Sequence, residues 1–150
     1  MSTPATLAHA VQQTNEWLKQ IRDYADLPDT DHAYSVLRAV IQQLRDRLTT
    51  PEVFDLAAQL PIIVRGTYFE AYRPGLELPK VRGREKFLDG VAARLKSDRI
   101  DPEIAVRAVF ATLAHHCDAG EIGDVIDQLP SDLKALWPKG SQRTHCGGRL

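Results

Sequence analysis

Several groups of residues in this 150-residue chain carry side chains able to do chemistry, and each has a plainer role to set beside it. His115-His116-Cys117, with His145-Cys146, supplies the nitrogen and sulfur atoms that bind zinc. Successive residues of a helix point about 100° apart, however, so His115 and His116 do not easily face one ion. Cys117 continues the apolar stripe of Phe110 and Leu113, and the paired spacings of a closed zinc site are missing. The acids Glu52, Asp55, Glu121, Asp124 and Asp127 have no histidine or nucleophile set beside them by helical spacing. Glu52 and Glu121 fall where short helices begin, so a charge–dipole role is expected of them. Lys80, Arg82, Arg84 and Lys86 could meet phosphates, but only Phe87 is near them for stacking and no nucleic-acid motif is present. A Gly-rich phosphate loop, a Ser nucleophile elbow, an HExxH pair and a dinucleotide fingerprint are all missing, which weighs against an enzyme. No metal or other cofactor is expected.

The strongest candidate is the segment Ile62 to Tyr72, apolar on nearly all sides yet holding Arg65, Gly66 and Glu70. Arginine and aromatic rings beside a glycine are what binding hot spots use, which makes Arg65, Tyr68, Phe69, Glu70 and Tyr72 the candidate binding residues. The competing account buries this helix at a junction inside the fold, with Arg65 paired to Asp55 or Glu70.

Helices must position these groups. Leu7, Val11, Thr14, Leu18, Ile21 and Ala25 recur at alternating steps of four and three, with Trp17 and Tyr24 widening the stripe. Pro28 ends that helix by biasing Leu27 away from helical angles. A second helix from about Asp31 buries Ala33, Leu37, Val40, Ile41, Leu44 and Leu48. Thr50-Pro51-Glu52 starts a short third, with Thr50 as cap, and Pro61 opens a fourth that runs to Tyr72. Arg73-Pro74-Gly75 breaks it, and a connector extends to Gly83. Phe87, Leu88, Val91 and Leu95 mark the next helix, and Asp101-Pro102-Glu103 repeats the cap–proline–acid start of the one after it. Ala119-Gly120 reads as a break, Ile122 to Leu129 as a helix, and Ser131 as the cap of a last short one ending at Trp137.

The second half of the chain repeats the first. Leu37–Phe69 lies over Val106–Pro138 without a gap, with nine identities in 33 positions. They include Glu52/Glu121, Asp55/Asp124 and the triplet Gln59-Leu60-Pro61 over Gln128-Leu129-Pro130, which hydrophobic periodicity alone does not require. The expected fold is therefore all-α, a bundle of about eight helices formed by two tandem repeats related by a pseudo-twofold axis. It forms one domain over 1–138, with repeat one near 6–72, a connector over 73–83, repeat two near 84–138 and a mobile tail over 139–150.

The run Ala57-Ala58-Gln59-Leu60-Pro61-Ile62-Ile63-Val64-Arg65-Gly66-Thr67-Tyr68-Phe69-Glu70-Ala71-Tyr72 resembles the signature of the bacterial DUF2267 family, a domain of unknown function. Glu85-Lys86-Phe87-Leu88 and the stretch from Ala105 to Trp137 resemble the rest of it. This chain departs from the pattern at Ala71-Tyr72, where the family tends to Gly-Trp, and at Gly83, where a capping Thr or Ser is usual. The resemblance implies an all-α bacterial domain and no established activity.

Composition agrees with a globular chain: 43% of residues are hydrophobic and 26% charged, too apolar for disorder. No apolar run approaches the roughly 20 residues of a membrane span. The N-terminus lacks the basic and hydrophobic parts of a signal peptide, and the two cysteines read as free thiols, so a soluble cytoplasmic protein is expected. A net charge of −1 hides an imbalance, with 73–99 carrying +4 and 101–132 carrying −6. The expected function is a non-enzymatic protein-interaction module with a protein partner, a second copy of the chain included, and neither a membrane nor a nucleic acid. The alternative is a small-ligand protein or enzyme with a pocket between the repeats, near Arg65 and Arg38 or Arg107.

Overall fold

A computed structural model describes residues 2–74, 83–95, 97 and 99–141. The described residues form eight α-helices and no strand: α1 (Ala5–Ala25), α2 (Thr30–Arg45), α3 (Thr50–Ala57), α4 (Ile62–Phe69), α5 (Arg84–Leu95), α6 (Pro102–His116), α7 (Ala119–Asp127) and α8 (Ser131–Lys134). Most of the expected connector (75–82, with Lys80 and Arg82) and of the expected tail (142–150, with His145 and Cys146) lies outside the described residues. Residues Lys139–Ser141 add a 3-10 turn.

Two helices make the interior. α2 packs on α1, α4, α5 and α6, and buries Val36, Leu37, Val40, Ile41 and Leu44 completely or nearly so. α6 buries Val106, Val109, Phe110 and Leu113, with Phe110 stacked on Trp137 at 4.0 Å and tilted against Phe87 at 6.2 Å. α5 comes close to α2 because position 90 is glycine: a Cβ there would overlap the side-chain amide of Gln43. The short α3 packs against the short α7.

Side-chain caps start α2 and α6, the one at Asp101 as the sequence leads one to expect and the one at Asp29 unannounced by it. Asp29 caps α2 by accepting from His32 N at 2.9 Å, and Asp101 caps α6 by accepting from Glu103 N at 2.9 Å. α1 stops where Asp26 turns left-handed at φ 53° and sends its N–H back to Arg22 O. Other expectations need correction. Leu7, Val11 and Tyr24 are about half exposed, because the buried face of α1 runs through Ala10, Thr14, Trp17, Leu18 and Ile21. α3 starts one residue early, with Thr49 as its cap position, and Thr49 N–H donates to the side chain of Gln128 at 3.0 Å. Ala119-Gly120 opens α7 under an Asp118 cap and is no break.

The largest correction concerns α4, which ends at Phe69 and does not reach Tyr72. The cause is a buried arginine on α2. Arg45, 3% exposed, donates from Nη1 to Tyr68 O at 2.8 Å and Glu70 O at 2.9 Å, and from Nε to Asp46 Oδ1 at 2.9 Å. Gln42 Nε2 donates to Thr67 O at 3.0 Å. Carbonyls that a longer helix would have satisfied internally are thus taken by α2 side chains. Arg94 of α5 closes the network, donating to Gln43, Gln42 and Asp46 at 3.1, 2.9 and 2.8 Å. The chain then turns through Ala71 at φ 61°, a left-handed conformation that costs an L-residue about 1–2 kcal/mol.

Two stability measurements check this account. Arg45→Met leaves two carbonyls without donors and Asp46 short of a cation, and should lower unfolding free energy by about 3 kcal/mol in urea titrations. A loss under 1 kcal/mol would show that the network is ornamental. Ala71→Gly removes the left-handed penalty at an exposed position and should raise stability by about 0.5–1 kcal/mol, net of the entropy glycine adds to the unfolded chain.

Candidate functional site

The five residues singled out in the sequence do not form one surface. Tyr68 is fully buried and its Oη donates to Val53 O at 2.9 Å, which ties α4 to α3. Burial holds the phenol protonated by driving its pKa far above the usual value. Tyr68 is therefore a core residue, not a contact. Arg65 pairs with neither Asp55 nor Glu70: its Nε donates to Ala57 O at 2.9 Å and its Nη2 to Leu60 O at 3.0 Å. These carbonyls lie at and just past the C-terminal end of α3, where a cation is favoured by the helix dipole. Glu70 is exposed and pairs with Arg38 at 2.6 Å.

Phe69 and Tyr72 remain half-buried at the surface, and Phe54 joins them. Ring centroids separate Phe54 from Phe69 by 5.4 Å, Phe54 from Tyr72 by 6.4 Å, and Phe69 from Tyr72 by 6.0 Å. Arg45 lies over the Tyr72 ring at 5.3 Å. Phe54 is 53% exposed and was missed in the sequence reading. Its neighbour Val53 and Leu56 take the inward positions of α3, which turns Phe54 outward. The outward side of α4 continues the apolar strip through Ile62 (66% exposed), Ile63 and Gly66. Nothing lies within 4 Å of a Cβ built on Gly66.

A groove of about 380 Å³ separates α1 from the α3–α4 turn and the end of α6, and His9, Gln13, Trp17, Gln59, Arg65 and His116 are among its walls. Arg38 and Arg107 do not line it. Arg38 is held by Glu70, and Arg107 by Glu103 with a longer contact to Ala135 O. His116 stacks on Trp17 at 5.0 Å and shares a hydrogen bond with Gln20 at 3.0 Å, and burial lowers its pKa. The His115 and His116 rings cross nearly perpendicular. Cys117 is buried, its thiol pushed up to about 12, with Sγ 3.9 Å from Gln59 O. His116 and Cys117 thus engage different partners. Of the basic connector, Arg84 is engaged within the fold, its N–H on Asp132 and its guanidinium on Glu103.

A further group forms where α3 meets α7. Carboxylate oxygens of Glu52, Asp55 and Glu121 lie within 4.8 Å of one another. Glu52 is only 7% exposed, and its Oε2 receives Gln128 Nε2 at 3.5 Å. At an effective dielectric of about 20, two unit charges this far apart repel by about 3 kcal/mol. Burial, then contact with Glu121, then the fields of Asp55 and Asp124 push the Glu52 carboxyl up to about 8. The sequence placed Glu52 and Glu121 correctly in the first turns of their helices, but not against each other.

The family described as an uncharacterized conserved protein, DUF2267, matches residues 14–136. The chain belongs to the DUF2267 family. No curated protein matches it. Membership accounts for the helical fold and brings no activity with it, so the function of this DUF2267 chain has to be argued from its own surface. The glycine that the resemblance implies at position 71 would suit the left-handed turn described above, which this chain makes with alanine.

The Glu52 shift has a measurable consequence. Its pKa is raised on folding, so its contribution is intact below about 4.5, the ordinary value, and is lost as pH rises toward about 8. In chelator, the melting temperature should fall across that window, and Glu52→Gln should remove most of the slope. An unchanged slope in the variant would assign the pH dependence elsewhere.

Proposed function

We propose that the chain is a non-enzymatic protein-interaction module, a single domain over 1–138 made of two tandem helical repeats and working in the bacterial cytoplasm. Its contact surface is the strip formed by Phe54, Phe69 and Tyr72 with Ile62, Ile63 and Gly66 on α4. The observation that carries this reading is Phe54, a phenylalanine of α3 that is 53% exposed and packs against Phe69 and Tyr72, with Phe69 on the same helix as Ile62, which is 66% exposed. Contiguous apolar surface of this kind is what interaction sites expose, and aromatic rings supply most of their energy. Gly66 lets a partner backbone approach closely, and the Arg38–Glu70 pair gives the strip a charged edge. The repeat reading is supported by the gapless register of 37–69 on 106–138 and by the matching order of α2–α4 and α6–α8. Among the described residues no helix is long and apolar enough to cross a membrane.

Gly66→Arg tests the surface. The position is open and helical, so the substitution should leave the melting temperature unchanged or slightly raised, since glycine is about 0.8–1 kcal/mol worse than good helix formers. It should abolish self-association in sedimentation runs, or partner recovery by tagged bait, at least tenfold. Association that survives both Gly66→Arg and Phe54→Ser would place the contact elsewhere.

The groove favours a second reading, a small-ligand site. Its volume of about 380 Å³ falls at the lower end for such pockets, and Gln13, Gln59 and His116 bring polar atoms to its walls. A thermal-shift screen of metabolites separates the two, because a ligand of the groove stabilises the Gly66→Arg protein as well as the parent.

A further inference from the structure

Glu52 carries a polar atom that the fold leaves without a partner. Its Oε1 is buried and receives no hydrogen bond, although the residue is 7% exposed, and Glu121 Oε1 across the α3–α7 contact is in the same state. None of the ion pairs among the described residues reaches Glu52, Asp55 or Glu121. Helix capping does not explain the arrangement. Asp118 already accepts Glu121 N at the start of α7, and the Thr49 N–H at the start of α3 goes to Gln128. Buried carboxylate oxygens without donors require either a proton or a metal ion between them.

We propose that Glu52, Asp55 and Glu121 bind a hard divalent cation at the α3–α7 contact. All the donors are carboxylate oxygens, the ligands that calcium, magnesium and manganese prefer over softer metals. Oxygens that lie within 4.8 Å of one another are close enough for one ion to reach all three after small side-chain shifts. A shared proton would neutralise one of three charges and join Glu52 to Glu121 alone; a divalent ion neutralises two and draws in Asp55 as well. Gln128 aims the cluster: Thr49 N and Oγ1 hold its Oε1 at 3.0 and 3.3 Å, and its Nε2 holds Glu52 Oε2. Asp55 is exposed, which leaves a route for the ion and room for water to complete its shell. This site is independent of the apolar strip proposed as the contact surface.

The test uses the whole chain, stripped with chelator and titrated with CaCl2, MgCl2 and MnCl2 by calorimetry and thermal melts. With three carboxylates and water as ligands, Kd for Ca2+ should be on the order of 0.1–1 mM. Ca2+ at about ten times Kd should raise the melting temperature by about 3–5 °C. Glu52→Gln and Glu121→Gln should each weaken binding at least tenfold and remove the rise. Asp55→Asn, at an exposed position where folding is not at stake, should weaken it several-fold. Stabilisation by none of the three ions would overturn the proposal and leave a proton-sharing pair. Equal stabilisation of the parent and all three variants would overturn it too, by placing the ion at another site.

Discussion

A guanidinium sealed inside a helical bundle sets the terms for the rest of this fold. Arg45 occupies a position 3% exposed, where an unpaired cation would be very costly, and Asp46 and two backbone carbonyls accept from its Nε and Nη1. The same bonds stop α4 at Phe69, seat Tyr68 under α3 and bring Tyr72 back over the guanidinium. Gln42, Gln43 and Arg94 extend the network to α5, so three helices are keyed to one polar cluster. Hydrophobic burial drives these helices together, but it is not directional. The network selects one rotation of α2 against α4 and α5.

What the sequence made legible follows from the range of each signal. Capping and helical stripes are local, so Asp101 and the buried faces of α2 and α6 could be read directly. The end of α4 could not be read. It depends on Arg45, 23 residues before the carbonyl of Tyr68, and no spacing rule links an arginine on one helix to the carbonyls of another. The exposure of Leu7 and Val11 was hidden for a related reason. Periodicity shows which residues share a face of α1 but not how far that face extends over the core.

The candidate site was legible in part. The apolar excess of α4 did mark a surface strip, yet Tyr68, the residue most like a hot spot by type, faces inward to serve Val53. Phe54 escaped notice because a lone phenylalanine in an eight-residue helix has no partner within its own element; Phe69 and Tyr72 supply one only after folding. In the register of the proposed repeat, Arg45 and Gln42 fall over Ala114 and Ala111. The second half thus lacks the residues that terminate α4. Its last helix, α8, spans Ser131–Lys134 and is served by a longer contact from Arg107 to Ala135 O. The aromatic and arginine-rich turn belongs to the first half alone.

The two polar groups of the interior differ in how they are satisfied. Around α4, the buried arginine finds acceptors for its Nε and Nη1 in Asp46 and two backbone carbonyls. At the α3–α7 contact the balance is reversed: three carboxylates meet one amide donor, Gln128. An excess of donors can be absorbed by backbone carbonyls, which have spare lone pairs throughout a helical protein. An excess of buried acceptors has no such reserve, because helical N–H groups are already committed. Acceptors in surplus therefore call for something from outside the chain, a proton or a cation. The α3–α7 contact is where this fold is chemically incomplete, whereas the α4 surface is complete in itself and exposed only in the hydrophobic sense.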